Sequence, residues 1–220
     1  FSSTAAVYED FNNKISETGK IRSLNSYGIS KIKCEELIKK KLNLIKSKYC
    51  ILRFFNVASS IKKFKIGEFH NPETHLIPII INSLFLKKKI NIYGTNYKTK
   101  DGTCMRDYIH IIDILKGIEK SIKYLERKKS RSSIFNLGSG NCYSVMEIVK
   151  NCSKISKIKP IINFVKPRKH DVDFLLCEIS KAKKILGWKP IYSNLNKIIS
   201  DEIWWYKFLK KNNYKRKFIY

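Results

Sequence analysis

Residues 26–56 read SYGISKIKCEELIKKKLNLIKSKYCILRFFN and contain a predicted helix followed by a predicted buried strand. Up to residue 45 the apolar side chains recur with the period of an α-helix, at Ile29, Ile32, Leu37, Ile38, Leu42 and Ile45. The run at 49–56, by contrast, is mostly apolar and predicts a strand in the interior of a sheet. A helix joined to a buried strand is typical of an α/β protein.

The same alternation continues along the rest of the chain. Periodicity predicts further helices over 75–88, 112–128, 180–186 and 195–211, and strands over 90–94, 134–137 and 160–165. Val7 and Tyr8 close a short apolar entry and predict the end of another strand. Ser144 and Glu147 have the spacing of a capping box at a helix start. Because its strands are separated by helices, the chain is predicted to be α/β with mostly parallel strands.

Charge and hydropathy weigh against nucleic acid and membrane as partners. The chain has 45 Lys and Arg against 18 Asp and Glu, a formal net charge of +27, and such charge favours phosphates. However, only seven of these residues are arginine, the lysines are scattered, and the common nucleic-acid motifs are missing from the sequence. The longest apolar segment, at 76–86, is interrupted by Pro78, Asn82 and Ser83, so no membrane span is expected.

Cysteine and histidine spacing predicts neither disulfides nor a metal site. The six cysteines contain no Cys-x-x-Cys pair, and the four histidines form no His-x-His or His-Glu-x-x-His pattern. We therefore expect free thiols in a reducing compartment, which predicts a cytoplasmic protein without a bound metal.

Tyr27 and Lys31 are candidates for acid–base chemistry. Four residues apart, they share one face of the predicted helix. A tyrosine hydroxyl becomes a usable base near neutral pH only where a neighbouring cation favours the phenolate, and a lysine one turn away supplies that charge. Two similar pairs, Tyr124/Lys128 and Tyr206/Lys210, lie within lysine-rich amphipathic helices, where we expect solvated faces.

Several motifs resemble a known family. The segments at 1–8 (FSSTAAVY), 27–31 (YGISK) and 52–58 (LRFFNVA) resemble consecutive signatures of the extended short-chain dehydrogenase/reductase superfamily. Within that superfamily the resemblance is to the UDP-glucose 4-epimerase family, and it is carried by residues 72–78 (PETHLIP), 92–95 (IYGT), 101–110 (DGTCMRDYIH), 136–140 (NLGSG) and 181–188 (KAKKILGW).

The resemblance implies a fold and a division of the chain. The fold would be a partial Rossmann-like one, with a doubly wound, mostly parallel sheet and a smaller C-terminal α/β substrate-binding region. Residues 1–60 would form the C-terminal part of the NAD-binding domain. Residues 61–220 would form mostly the UDP-sugar-binding region, with some segments returning to the Rossmann-like sheet.

The resemblance also implies which residues act on the cofactor NAD and the reacting sugar. Tyr27 matches the catalytic base, and Lys31 matches the lysine that binds the cofactor ribose. Thr4 matches a hydroxyl residue that hydrogen-bonds the reacting oxygen of the sugar. Ser2 and Phe54 fall where the family contacts the nicotinamide nucleotide, and Phe54 replaces a common tyrosine.

A second group of residues would bind the UDP-sugar. They are Asn56, His75, Leu76, Tyr93, Arg106, Arg168 and Asp171. Arg106 and Arg168 match two arginines that hold the diphosphate, a task that suits forked guanidinium donors. Asp171 matches a carboxylate that holds the UDP ribose. The segment at 167–171, PRKHD, departs from the family's usual Arg-Arg-x-Gly-Asp.

The glycine pattern that binds a dinucleotide pyrophosphate is missing from the sequence. Such binding needs a glycine-rich turn between a first strand and a first helix, but no two of the nine glycines are three residues apart. Because the resemblance begins in mid-domain, we expect an N-terminally incomplete chain that is inactive alone.

The resemblance implies an isomerase that interconverts UDP-galactose and UDP-glucose by transient, NAD-dependent oxidation at sugar C4, as a homodimer when complete. Two alternatives stay open: a 4-epimerase for UDP-N-acetylhexosamines or UDP-pentoses, and an inactive basic fragment that binds polyanions. A 4,6-dehydratase is disfavoured because elimination needs an additional acid and base, whereas Ala5 and Ala6 follow Thr4.

Overall fold

The protein has an α/β architecture in a computed structural model that describes residues 1–9, 14–168 and 171–214. Its helices are α1 (Ser26–Leu44), α2 (Leu76–Phe85), α3 (Ile111–Glu126), α4 (Val145–Ser156), α5 (Ser180–Leu186) and α6 (Leu195–Lys211). Its strands are β1 (Ser2–Thr4), β2 (Lys14–Ile15), β3 (Cys50–Phe54), β4 (Asn56–Ala58), β5 (Lys89–Tyr93), β6 (Met105–Arg106), β7 (Tyr108–His110), β8 (Ser133–Leu137), β9 (Tyr143–Ser144), β10 (Ile161–Val165) and β11 (Phe174–Cys177).

The strands pair mostly in parallel, as the sequence predicts. Within the described ranges they form four small sheets, in the orders β1-β3-β8, β10-β5, β2-β11-β6-β9 and β4-β7. Of the pairings between these strands, β6 with β9 is antiparallel and the others are parallel. The α/β fold class is therefore confirmed, and β8 joins the sheet of β1 and β3 although it lies far along the chain.

Most predicted elements are present, with corrected boundaries. The helix expected at 75–88 covers only Leu76–Phe85, and Lys87 takes a left-handed backbone conformation with φ of 53°. The strand end expected at Val7 and Tyr8 is wrong, because Ala5–Val7 form a 3₁₀ turn after β1. The strands β2, β4, β6, β7, β9 and β11 were not predicted, since two to four residues carry too little periodicity to indicate a strand.

Two apolar clusters hold these elements together. The first lies around β1, β3, β8 and α3, with Leu52, Phe135 and Trp188 among its buried residues. The second lies among α2, α4, α6 and β5, with Ile80 and Ile199 fully buried. In the part of the chain that the structure describes, no helix is both long and apolar enough to cross a membrane.

Candidate active site

A cleft of about 800 Å³ is lined by residues from both clusters. Ten of the twelve residues singled out in the sequence line it: Thr4, Tyr27, Phe54, Asn56, His75, Leu76, Tyr93, Arg106, Arg168 and Asp171. The other two, Ser2 and Lys31, are not among the lining residues and contact each other beside Tyr27. The fold therefore brings together residues that are up to 167 positions apart (Thr4 to Asp171) in the sequence.

Tyr27 lies in the first turn of α1 and lines the cleft. Asn25 caps this helix by accepting a hydrogen bond of 2.7 Å from the Gly28 amide. The Tyr27 side chain is open to solvent, with 55% of the residue exposed. The Lys31 ammonium lies one turn further along, 5.7 Å from the centre of the Tyr27 ring, and donates to the Ser2 carbonyl over 2.9 Å. The phenol and the ammonium are therefore neighbours, as the spacing predicts.

Gly28 allows α1 to approach β1 and the turn that follows it. A Cβ at this position would overlap the Ala6 carbonyl oxygen and the Ser23 hydroxyl. On the other side of this contact, Thr4 ends β1 and accepts a hydrogen bond of 3.1 Å from the Ala6 amide. The close backbone contact explains how Tyr27 and Thr4 come to line the same end of the cleft.

The two other Tyr-x-x-x-Lys pairs lie elsewhere. Neither tyrosine lines the cleft. The Tyr124 hydroxyl donates to the Arg131 carbonyl over 3.0 Å, and the Tyr206 ring stacks on Phe85 with centroids 4.9 Å apart. The expectation of fully solvated faces is wrong for these two rings, because both are half-buried against an apolar cluster.

Two arginines, Arg106 and Arg168, line the cleft. Arg106 donates to the Asp171 carboxylate, and a second guanidinium nitrogen donates to the Val172 carbonyl over 2.8 Å. The Arg168 guanidinium lies 4.1 Å from the centre of the Tyr93 ring, within cation–π distance. Of the PRKHD segment, Lys169 and His170 lie outside the described residues.

Four further predicted site residues, Asn56, Phe54, His75 and Leu76, line the same cleft. Phe54 ends β3, and the Asn56 side-chain amide donates to the Asp107 carbonyl over 2.9 Å. His75 is the N-cap residue of α2, but its side chain makes no capping hydrogen bond. Its ring nitrogen instead lies 2.9 Å from the buried Glu73 carboxylate, which raises the pKa of His75.

Gly138 and Gly140 lie beside a buried carboxylate, that of Asp107. Asp107 is fully buried and accepts hydrogen bonds from the Ser139 amide and hydroxyl (2.7 Å each), the Gly140 amide (2.9 Å) and the Cys177 amide (3.2 Å). Burial raises the pKa of Asp107 to about 6, although these donors favour the charged form. A Cβ at Gly138 would overlap the Cys177 side chain, so this glycine is needed for close packing.

The sequence analysis did not predict a buried ion pair between Glu35 of α1 and Arg53 of β3. Arg53 lies in the buried strand β3 and Glu35 lies two turns beyond Tyr27 in α1; both are at most 3% exposed. A charge inside an otherwise apolar strand could have signalled this pair, because a buried arginine needs an acidic partner.

The spacing of the histidines in the sequence also gave no sign of a polar cluster beside the cleft. Glu68, His70 and His75 each offer one possible metal-ligating atom, and these atoms lie within 4.8 Å of one another on the surface. His75 Nδ1 lies 3.2 Å from Glu68 within this cluster and 2.9 Å from Glu73, and the His70 and His75 ring centres are 5.3 Å apart.

A family model described as GDP-mannose 4,6 dehydratase matches residues 1–201. The chain belongs to this family. It is thereby a member of the extended short-chain dehydrogenase/reductases, as its motifs indicate. A protein of Streptococcus mutans named UDP-glucose 4-epimerase is 38% identical over 213 residues, which are 96% of this chain and 64% of that protein.

Solved structures of similarly named enzymes share the fold of this family member. The UDP-glucose-4-epimerase of Stenotrophomonas maltophila, solved with NAD and a formylated UDP-arabinopyranose, has a TM-score of 0.90 at 27% identity, over 96% of this chain and 64% of that one. The Bifidobacterium longum enzyme, solved with NAD⁺ and UDP, has a TM-score of 0.87 at 29% identity, over 97% and 64%. The chain thus spans slightly less than two thirds of the length of these relatives.

Proposed function

We propose that this chain supplies the catalytic and nucleotide-sugar-binding residues of an NAD-dependent UDP-glucose 4-epimerase. The observation that carries the proposal is the arrangement of the cleft. Tyr27 and Thr4 line it, with Lys31 one helical turn beyond Tyr27, and Arg106, Arg168 and Tyr93 line the same cleft. The names of the most similar relatives and the ligands in the titles of their structures support the same function.

The residues around Tyr27 fit the nicotinamide and ribose part of NAD. An exposed phenol beside an ammonium, with the aromatic ring of Phe54 in the same cleft wall, offers hydroxyl, cationic and apolar contacts. Lys31 would bind the ribose hydroxyls, and Ser2 and Phe54 would flank the nicotinamide. When bound there, NAD would supply a hydride acceptor for sugar C4 and return the hydride to the opposite face.

The chain's own residues handle the proton. Tyr27 would take the proton from the sugar O4 as the general base, with the Lys31 ammonium 5.7 Å from the centre of its ring. Thr4 would hydrogen-bond the same oxygen. Tyr27 in α1 and Thr4 in β1 lie on the two segments that approach closely at Gly28, so both side chains can reach one substrate oxygen.

The residues around Arg106 and Arg168 would bind UDP while the sugar rotates. Arg106 and Arg168 would bind the diphosphate through forked donors, Tyr93 would border the uracil, and Asp171 would hold the ribose. Asn56, His75 and Leu76 would border the nucleotide between them. UDP would be bound tightly, whereas the sugar would make few polar contacts. The 4-keto sugar could then rotate in the site, which inversion at C4 requires.

A dehydratase reaction is less well supported than epimerisation, despite the description of the family model. Elimination needs an acid and a base beside the reacting carbons. Thr4 is followed by Ala5 and Ala6, and the carboxylates among the cleft-lining residues are Glu68, Asp171 and Glu202, which are outside this segment. UDP-N-acetylhexosamines and UDP-pentoses stay alternative substrates in the same reaction class.

The division of the chain, the homodimer and the compartment are further parts of this proposal. Residues 1–60 would belong to the NAD-binding part and residues 61–220 mostly to the UDP-sugar part; β8, paired with β3, supports a return of the chain to the first sheet. All six cysteines are unpaired, which supports a reducing cytoplasm. Sedimentation velocity would test the homodimer.

The test is activity of this chain joined at its N-terminus to the part of the Streptococcus mutans relative that this chain does not match. We expect the joined protein to convert UDP-galactose to UDP-glucose, and Tyr27→Phe to lower kcat by about 10²- to 10⁴-fold, since the general base is lost. Tyr124→Phe, in a second Tyr-x-x-x-Lys pair, is the matched control and should keep nearly full activity. Equal activity of Tyr27→Phe and the control would refute the assigned base.

A further inference from the structure

Among the residues that the structure describes, helix α1 makes few apolar contacts. Of its 19 residues, Gly28 and Glu35 are the buried ones, and Ile32 is half-buried against the first apolar cluster. Most stability of a helix in a protein comes from packing of an apolar face. The helix that carries Tyr27 and Lys31 therefore depends on other contacts to keep its place.

The strongest of these contacts is a two-pronged ion pair. Arg53 Nε donates to Glu35 Oε1 over 2.9 Å, and Arg53 Nη2 donates to Glu35 Oε2 over 2.6 Å. The Ser3 hydroxyl donates to the same carboxylate over 2.6 Å. A bidentate pair fixes both the distance and the direction between its partners, which apolar packing does not.

Successive turns of α1 are tied to neighbouring residues of β1. Glu35 binds the Ser3 side chain, and Lys31, one turn earlier, binds the Ser2 carbonyl. Tyr27 lies one turn earlier again and lines the cleft together with Thr4. A displacement of Glu35 would therefore be transmitted along a rigid helix to both Lys31 and Tyr27.

Arg53 is itself held from the side opposite α1. Its Nη1 donates to the Tyr8 hydroxyl over 2.9 Å, and its guanidinium lies 4.8 Å from the centre of the Tyr8 ring. The Tyr8 hydroxyl donates to Asn136 Oδ1 in β8 over 2.6 Å. Buried hydrogen bonds thus connect Glu35 to β3 and, through Tyr8, to β8.

We propose that Glu35 and Arg53 are positioning residues, which fix where α1 presents Tyr27 and Lys31 to the cleft. Replacing a buried ion pair by apolar residues is often neutral or stabilising, so a role in stability alone would not require these charges. The consequence for catalysis rests on the proposed function, whereas the anchoring of α1 does not.

The first test is hydrogen–deuterium exchange of the full chain, followed by mass spectrometry. In Glu35→Gln we expect amides at 26–36 to exchange about 10-fold faster or more, and amides at 195–211 in α6 to be unchanged. Glu36→Gln, the exposed neighbour on the same helix, is the matched control and should leave both segments unchanged. Unchanged exchange at 26–36, or equal acceleration in both segments, would overturn the proposal.

A double variant separates positioning from folding. Glu35→Leu with Arg53→Met replaces the pair by apolar side chains of similar length, and we expect it to keep the midpoint of thermal unfolding while 26–36 still exchanges faster. It also serves if Glu35→Gln fails to fold. Wild-type exchange at 26–36 in a folded double variant would show that packing alone holds α1, against the proposal.

The second readout uses the joined enzyme described above. Glu35→Gln should lower kcat by about 10- to 100-fold with little change in KM for UDP-galactose, because the base is displaced while the UDP contacts stay in place. A rise in KM with unchanged kcat would contradict a positioning role. If the joined wild-type protein is inactive, the proposed function fails, but the exchange experiment still decides whether the pair anchors α1.

Discussion

Helices α1 and α2 both carry residues to the cleft, but they are anchored in opposite ways. In α2 the residues Ile77, Ile80, Ile81 and Leu84 are at most 2% exposed and pack in the second apolar cluster. In α1 the buried residues are a glycine and a glutamate. One helix is held by apolar area and the other by a close backbone contact and an ion pair.

The difference follows from what each kind of contact can specify. Apolar burial contributes about 25 cal/mol per Å² and has no direction, so it stabilises α2 without fixing single atoms. The forked contact between Glu35 and Arg53 has a narrow geometry. The helix proposed to present a proton-transferring group is thus the one with the directional anchor.

The largest expected effect is that of Arg53→Ala. It leaves the Glu35 carboxylate buried without its main partner, so the free energy of unfolding should fall by about 3–5 kcal/mol in urea titrations. Arg22→Ala removes the exposed pair with Glu9 and should lower the free energy of unfolding far less, because water screens this pair. If the two arginine variants lost similar stability, the buried pair would not be the main anchor of α1.

A somewhat smaller loss is expected for Ile80→Ala in α2. Removing a fully buried side chain leaves a cavity and should lower the free energy of unfolding by about 2–4 kcal/mol. Leu86→Ala, just beyond the helix at a residue that is 43% exposed, is the control and should have little effect. Hydrogen exchange at 26–36 should stay unchanged in folded Ile80→Ala; faster exchange there would mean that α1 depends on the second cluster.

The smallest expected effect is a change in the acid dependence of stability. Burial alone would raise the pKa of Glu35, but hydrogen bonds from Arg53 and Ser3 outweigh it and hold the pKa below its usual 4.5. The stabilisation is therefore present above pH 4.5 and is lost as the pH falls through the lowered value. In unfolding titrations below pH 4.5, stability should fall less steeply for Glu35→Gln than for the wild type.

Glu36→Gln tests whether this slope belongs to Glu35. It removes an exposed carboxylate next in sequence and leaves the pair of Glu35 with Arg53 in place. Identical slopes for Glu35→Gln and the wild type would show that the ion pair does not change the titration of Glu35 on folding.

Local sequence determined the elements whose signals lie within a few residues. The capping box of Ser144 and Glu147 is present with both hydrogen bonds, and Gly187 ends α5 in a left-handed conformation. The predicted bounds of α6 agree with Leu195–Lys211. These features were readable because caps and helical periods depend on neighbours one turn away. The motifs likewise named twelve site residues, ten of which line one cleft.

Tertiary structure alone decided how those residues are held. The pairing of Arg53 with Glu35 and of Arg106 with Asp171 depends on where strands and helices meet. The pairing of β11 with both β2 and β6 depends on the same long-range packing. Sequence patterns record which face of an element is apolar, but they do not record which charges face each other, because that is set only when separate segments pack together.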